Sequence, residues 1–261
     1  MDLNLEDKVI IVTGGSGKTG SIGETTVRYI AGEGGIPVIV DKHPRGRKLA
    51  KELNEHDQET FFIQADLTEP EECQKVATKS AKKYGRIEGL VNNLGINDGV
   101  GLDHSYQEFM DSLKLNLGHF FSVTKAILPH LKTSSGPIIN IASKVAVTGQ
   151  GGTSGYAAAK GGVLALTREW ALDLREHNIR VNALVIAESF TPAYEKWLQN
   201  FDDPKQVKES ITSKVPLGQR MTKPEEIADS ILFLLSERSS HTTGQIIHVD
   251  GGYVHLDRAI S

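Results

Sequence analysis

Seven short apolar runs, each followed by a longer segment of helical character, set what this chain can fold into. They fall at residues 8–13, 36–40, 60–64, 87–92, 136–141, 179–185 and 245–250. Runs that are apolar at nearly every position must be buried on both faces, which a helix-covered parallel sheet provides. The second run opens Ile36-Pro37, a strand start where a missing N–H is tolerated. Between the runs, residues 69–84 open on Glu69-Pro70-Glu71-Glu72 and stop at Gly85, and residues 224–236 follow Thr222-Lys223 with Pro224-Glu225-Glu226. Acids and Pro in a first turn with Gly after the last are helix punctuation. Right-handed crossovers then make a doubly wound, seven-stranded parallel α/β sheet with helices on both faces. No linker or repeat divides residues 1–261, which read as a single domain. Ligands of such sheets lie beyond the carboxyl ends of the strands, so the chemistry is sought there.

Composition narrows the partners. The chain carries 29 Lys and Arg against 33 Asp and Glu, a net charge of −4. Nucleic-acid binding would call for a basic face instead. The single cysteine, Cys73, excludes an internal disulfide and a cysteine metal site. No apolar run approaches the roughly 20 residues of a membrane helix. The acidic start, residues 1–7, lacks a signal peptide's basic and apolar regions. The expectation is a cytoplasmic protein with a small-molecule substrate and no membrane or nucleic-acid partner. No metal is expected either, since no His-Glu-x-x-His or similar spacing occurs. His241, His248 and His255 read as surface or packing residues.

The 26 glycines cluster, and the first cluster follows the first run. Residues 13–23 read Thr-Gly-Gly-Ser-Gly-Lys-Thr-Gly-Ser-Ile-Gly, with a helix expected from about Glu24. A Gly-rich turn lets backbone approach a pyrophosphate, and the helix N-terminus adds N–H groups and a positive dipole. Gly14, Gly17, Gly20, Ser21, Ile22 and Gly23 are therefore cofactor candidates, although such a loop also describes a plain tight turn. Gly17-Lys18-Thr19 is no P-loop, because that motif needs Gly where Val12 stands. The second run ends at Asp41, 18 residues after Gly23. An acid there can accept both adenosine ribose hydroxyls and repels a 2′-phosphate, which favours NAD over NADP. A strand-end turn acid is the plainer reading, and Lys42, Arg45 and Arg47 beside it bear on the choice. Lys42 joins the candidates, as do Asp66 and Leu67 after the third run and Asn93 and Gly95 after the fourth.

Tyr156-Ala157-Ala158-Ala159-Lys160 places Tyr and Lys at i and i+4 on one helix face. A tyrosine base is ineffective at its free pKa near 10. An ammonium about 4 Å away supplies about 4 kcal/mol at an effective dielectric of 20, worth roughly three pH units. That brings a phenolate base within reach of neutral pH. The same spacing also describes an ordinary helical Tyr/Lys pair.

Further motifs lift the pair above coincidence. Ser143 precedes Tyr156 by 13 residues, and Asn116 sits in Lys114-Leu115-Asn116-Leu117. Asn92-Asn93-Leu94-Gly95, Arg180-Val181-Asn182-Ala183 and Val249-Asp250-Gly251-Gly252 follow in order. With these the chain resembles the short-chain dehydrogenase/reductase family over residues 5–258. The resemblance implies a Rossmann-type fold and gives roles. Tyr156 takes the substrate hydroxyl proton, and Ser143 hydrogen-bonds the same oxygen. Lys160 lowers the tyrosine pKa and binds the nicotinamide ribose, and Asn116 holds a water in a proton relay. Backbone at Ser189, and Thr191, bind the carboxamide. Residues 190–215 form a lid containing Tyr194, Trp197 and Phe201, which packing alone also explains. A homotetramer built on two long helices, around 105–131 and 153–177, is implied too, with His119-Phe120-Phe121 and Leu164-Ala165-Leu166 as apolar surface and a tail, 253–261, that reaches a neighbour. The chain departs from the family in a glycine loop about three residues longer, with Ser21 at a glycine position. It also has Ile186-Ala187 where Pro-Gly is usual.

The substrate pocket is expected to be lined by Asn97, Asp98, Ser143, Lys144, Gln150, Tyr156 and Glu188. That set is polar, and an unmatched buried polar group costs about 1–3 kcal/mol, so a sugar suits it better than a steroid or acyl chain. Asn97-Asp98-Gly99-Val100-Gly101-Leu102-Asp103, Thr148-Gly149-Gln150-Gly151, Ser240-His241-Thr242-Thr243-Gly244 and Asp250 through Arg258 resemble the family's bacterial sugar dehydrogenases, the L-fucose 1-dehydrogenases. That implies oxidation of C1 of an aldose to the lactone with NAD. The alternatives are a dehydrogenase of a later 2-keto-3-deoxy-aldonate type of sugar acid, a β-ketoacyl carrier-protein reductase, and a non-catalytic dinucleotide-sensing protein. Lys144 speaks for an anionic substrate, Glu188 against one.

Overall fold

The computed structural model describes residues 2–256. The strands are β1 (Val9–Thr13), β2 (Ile36–Asp41), β3 (Phe61–Gln64), β4 (Gly89–Asn92), β5 (Ile138–Ser143), β6 (Val181–Ile186) and β7 (Ile246–Val249). They form one sheet in the order β3-β2-β1-β4-β5-β6-β7, parallel throughout. The helices are α1 (Ile22–Gly32), α2 (Arg45–Asn54), α3 (Pro70–Tyr84), α4 (Tyr106–Leu113), α5 (His119–Ser134), α6 (Ser154–Asp173), α7 (Pro192–Leu198), α8 (Pro204–Thr212) and α9 (Pro224–Leu235). The end of the C-terminal motif, Asp257 and Arg258, and the rest of the tail lie outside the described residues.

Strand alternation sorts the core into two layers. Val9 and Ile11 face one way and pack with Val76, Phe120, Ile127 and Val163 from α3, α5 and α6. Ile10 and Val12 face the other way and pack with Val27, Leu49 and Ile227 from α1, α2 and α9. Both faces of the sheet are thus covered, which explains why the strands are apolar at nearly every position. Buried amides lock the centre. Asn92 Nδ2 donates to Asn140 Oδ1 at 3.0 Å, and Asn140 Nδ2 donates to Thr167 Oγ1 at 3.0 Å, joining β4, β5 and α6. Among the described residues no helix is long and apolar enough to cross a membrane.

The connectivity reverses between β1 and β4, which opens the crevice expected of a doubly wound sheet. Three boundaries differ from the sequence reading. Helix α1 begins at Ile22, so the glycine loop feeds the helix two residues earlier than expected. The expected helix over 105–131 is two helices joined by a π-helical turn, Lys114–Gly118. Asn116 sits in that turn, fully buried, with its Oδ1 accepting the Ile96 N–H at 2.8 Å. A π turn widens the helix by one residue and is frequent at functional sites. The helix expected over 153–177 ends at Asp173, followed by a separate 3-10 turn, Arg175–His177.

Candidate active site

The carboxyl ends of β1, β4, β5 and β6 converge on one cleft of about 340 Å³. Its walls include Gly14, Gly17, Ser21, Ile22 and Gly23 from the loop and α1, Asp41 from the end of β2, and Asn93 and Gly95 after β4. Ser143, Tyr156, Lys160, Ser189 and Thr191 complete the far end. Thirteen of the catalytic and cofactor residues expected from the sequence therefore line one cleft. Gly20, Lys42, Asp66, Leu67 and Asn116 do not line it. Lys42 and Asp66 line a neighbouring depression beside β3. The Asp66 carboxylate accepts the Thr68 hydroxyl at 2.8 Å and the Thr68 N–H at 3.0 Å, which hold its pKa below the usual carboxylate range. Leu67 is core.

The lengthened loop is held by side chains. Gly14 and Gly20 adopt φ of 66° and 84°, the region that favours glycine. Asp41 accepts the Ser16 N–H at 3.3 Å and the His43 N–H at 2.9 Å. The Gly20 N–H donates to Glu24 at 3.0 Å, and Glu24 is buried and ion-paired with Arg28. Sequence reasoning missed Glu24. The legible signal was Glu24 and Arg28 at i and i+4 directly after an unusual loop. On the β4 side, Thr13 Oγ1 accepts the Asn93 and Leu94 N–H groups at 2.9 and 3.1 Å. Asn93 Nδ2 donates to the Thr13 carbonyl at 3.0 Å, pinning the crevice open at a fixed width.

The Tyr/Lys pair sits on α6 facing β5. Lys160 is 2 % exposed, and its Nζ donates to the Ile141 carbonyl at 2.9 Å. It lies 5.6 Å from the centre of the Tyr156 ring and 4.9 Å from that of Phe120. Burial lowers its pKa to about 7. Burial pushes Tyr156 up to about 12, and a hydrogen bond with Ser143 acts in the opposite direction. This differs from the expectation that the ammonium pulls the tyrosine down. Burial dominates both groups, and the ammonium points at a carbonyl rather than at the phenol. His119, also buried beside Lys160, is held neutral with its pKa lowered to about 3.

A second pocket, of about 860 Å³, opens from the first across Gly95, Ser143, Tyr156 and Tyr194. All seven residues expected at the substrate line it: Asn97, Asp98, Ser143, Lys144, Gln150, Tyr156 and Glu188. Asn97, Asp98 and Gln150 are exposed at its mouth, whereas Glu188 is buried at 6 % exposure. Asn97 Oδ1 accepts the Thr153 hydroxyl at 2.6 Å. Asn116 Nδ2 reaches Asp98 at 3.5 Å. Tyr194, Trp197, Ile211 and Lys214 from the segment 190–215 close one side, and Tyr253 another. Tyr253 lies under the Lys144 ammonium, 4.6 Å from its ring centre, and was not singled out from sequence. Phe201 stacks edge-on against Trp197 and does not line the pocket. Of the apolar surface expected on α5 and α6, His119, Phe120 and Leu164 are buried, while Phe121 and Ala165 are exposed.

Comparison with known proteins fits this geometry. A family model described as enoyl-(acyl carrier protein) reductase matches residues 15–254. The 3-oxoacyl-(acyl-carrier-protein) reductase of Thermotoga maritima is 37% identical over 255 residues, covering 97% of this chain and all (100%) of that protein. The L-fucose dehydrogenase of Bos taurus is 36% identical over 248 residues, covering 94% of this chain and 88% of that one. Among solved structures, that of Cj0485 dehydrogenase superposes with a TM-score of 0.94 at 47% identity, covering 99% of this chain and 98% of that chain.

Proposed function

The chain belongs to the short-chain dehydrogenase/reductase family of oxidoreductases, and from that premise we propose that it oxidises a sugar with NAD, taking C1 of L-fucose or a related aldose to the lactone. The observation that carries the reading is the pocket beyond Tyr156, which offers the Asn97 and Gln150 amides and the Asp98 carboxylate at its mouth and the paired Glu188 and Lys144 on its wall. The likeness to L-fucose dehydrogenases supports it.

The family uses nicotinamide dinucleotides, and the first cleft fits one. A Cβ on Gly23 would lie 2.3 Å from the Gly14 carbonyl oxygen, so the loop and α1 meet in a cradle only glycine permits. The Ser21 and Ser189 hydroxyls are buried without a hydrogen-bond partner among the described residues, and both line that cleft. The Gly14–Gly23 loop and the α1 N-terminus would hold the phosphates, Asp41 the adenosine ribose, and Lys160, Ser189 and Thr191 the nicotinamide end. When bound, the dinucleotide supplies the hydride acceptor. Tyr156 removes the proton of the reacting hydroxyl, and Ser143 hydrogen-bonds that oxygen. Lys160 passes the proton on towards solvent through a water that Asn116 would hold. Gly23→Ala is expected to lower stability by about 1–3 kcal/mol through overpacking. Thermal melts check this, and titration of dinucleotide binding is expected to show weaker affinity.

The test of the function is initial-rate measurement over a panel of aldoses, each with NAD and NADP, following the reduced nicotinamide. Saturable NAD reduction by L-fucose or a sugar of its ring stereochemistry is the expected result. Activity confined to sugar acids would overturn it. A preference for NAD rests on the Asp41 carboxylate repelling a 2′-phosphate. Asp41→Ala is expected to shift the NAD/NADP ratio of kcat/KM towards NADP by about 100-fold, equivalent to about 2.7 kcal/mol. An unchanged ratio would remove Asp41 from the cofactor site. The second reading, a 3-oxoacyl reductase, is favoured by the likeness to the Thermotoga enzyme and by the Tyr194, Trp197 and Ile211 wall. Turnover of an acetoacetyl thioester with NADPH would decide for it. A homotetramer in the cytoplasm belongs to the same proposal, with Tyr106, Phe121 and Leu172 as exposed apolar side chains on α4, α5 and α6.

A further inference from the structure

We propose that Glu188, Lys144 and Tyr194 form a charge-cancelled wall that commits the second pocket to a neutral polyhydroxylated ligand and rejects the same ring bearing a carboxylate; the inference rests on the sugar reading above.

Glu188 follows β6 and Lys144 follows β5, so both stand on the fixed end of the sheet. One Glu188 oxygen pairs with the Lys144 ammonium and the other accepts the Tyr194 hydroxyl. The side chains are 7 % and 16 % exposed for Glu188 and Lys144. Tyr194 comes from α7, so the wall joins the sheet to the segment that covers it. The charged residues lining the pocket are Asp98, Lys144, Glu188 and Lys214, two of each sign. Sequence alone left Lys144 arguing for an anionic ligand and Glu188 against one. The structure puts the two charges in contact.

That contact decides which ligand groups can approach. A ligand carboxylate reaching for Lys144 arrives beside the Glu188 carboxylate on the same ammonium, and two such groups repel. A hydroxyl meets no such opposition. It can donate to Glu188, which keeps lone pairs beyond those used by Lys144 and Tyr194, and accept from the ammonium. Tyr194 adds an acceptor oxygen that remains protonated at neutral pH, since burial pushes its pKa up to about 12. A ligand lacking matching hydroxyls gains none of these bonds and still displaces the water around the wall, which is how a polar wall discriminates.

The test compares L-galactose with L-galacturonate, which share the ring stereochemistry of L-fucose and differ in one carboxylate. Binding is measured calorimetrically with NADH present, which cannot accept a hydride and so allows no oxidation, on the wild type, Glu188→Gln, Lys144→Met and Tyr194→Phe. The wild type is expected to bind the neutral sugar at least about tenfold more tightly. Glu188→Gln is expected to move that ratio towards the uronate by about tenfold or more, and Lys144→Met to move it the opposite way. Tyr194→Phe is expected to weaken the neutral sugar. Opposite movements by two variants of one ion pair separate charge selection from general damage. A wild type that binds neither ring, or binds the uronate as well as the sugar, overturns the proposal. So does a ratio that Glu188→Gln and Lys144→Met both leave in place. Turnover judges the sugar reading separately: charge selection in binding without oxidation of any aldose would remove that reading and keep the wall.

Discussion

Tyr156→Phe is expected to lower kcat for hydroxyl oxidation by about 10³–10⁴-fold, the upper part of the range for loss of a general base. The ring and its packing are retained, so dinucleotide affinity and melting temperature are expected to stay near wild type. The pH profile makes the test specific. Burial pushes the Tyr156 hydroxyl up to about 12, so at neutral pH only a small fraction is phenolate. The base works as the anion, so kcat/KM for oxidation is expected to climb about tenfold per unit from pH 7 upward. In Tyr156→Phe that limb is expected to be absent. Ser143→Ala removes the hydrogen bond that favours the phenolate, and the limb is expected to move to higher pH. A Tyr156→Phe enzyme with unchanged turnover would revive the reading of a dinucleotide-sensing protein without catalysis.

The sheet was legible because its strands leave little choice. All seven runs became strands within two residues at each end, since short runs that are apolar at nearly every position find burial in a sheet covered by helices on both faces. The π turn at Lys114–Gly118 was not legible. Local pattern over 105–131 is helical throughout, and the break shows only when a buried Asn116 meets the Ile96 N–H from another loop. The same limit applies to the pocket. Lys144 and Glu188 are 44 residues apart, and their pairing depends on β5 and β6 being neighbours in register, with Ser143 beside Ile186. Tyr194 enters the site on α7 and Tyr253 on a turn, and the placement of both depends on tertiary contacts. The i,i+4 spacing of Tyr156 and Lys160 placed both on one face correctly, but spacing carries no information about solvent. The mutual effect of the two charges was therefore overestimated and their burial missed.

That burial leads to the second large effect. Lys160→Met is expected to abolish most oxidation activity and yet to raise thermal stability at neutral pH. Lys160 is fully enclosed, and burial lowers its pKa from 10.5 to about 7. In the unfolded chain the ammonium is at ease in water up to about pH 10. Below pH 7 both states carry the proton, and the fold bears the full cost of an enclosed charge. Between pH 7 and 10.5 the unfolded state binds the proton and the folded state does not, so wild-type stability rises with pH across that window. Methionine matches the aliphatic stem and removes the charge, at the loss of the hydrogen bond to the Ile141 carbonyl, worth about 1–3 kcal/mol when left unmade. A gain of about 2 kcal/mol at pH 6 is expected after that loss, or several degrees in melting temperature for a chain of this size. The gain is expected to shrink towards pH 10 as the wild-type lysine loses its proton. Melts of both proteins across that range, without ligand, provide the check. A Lys160→Met protein less stable than wild type at every pH would mean that the ammonium is satisfied in the fold. A stabilised but inactive variant would mean that the enclosed lysine is kept for the reaction at the expense of the fold.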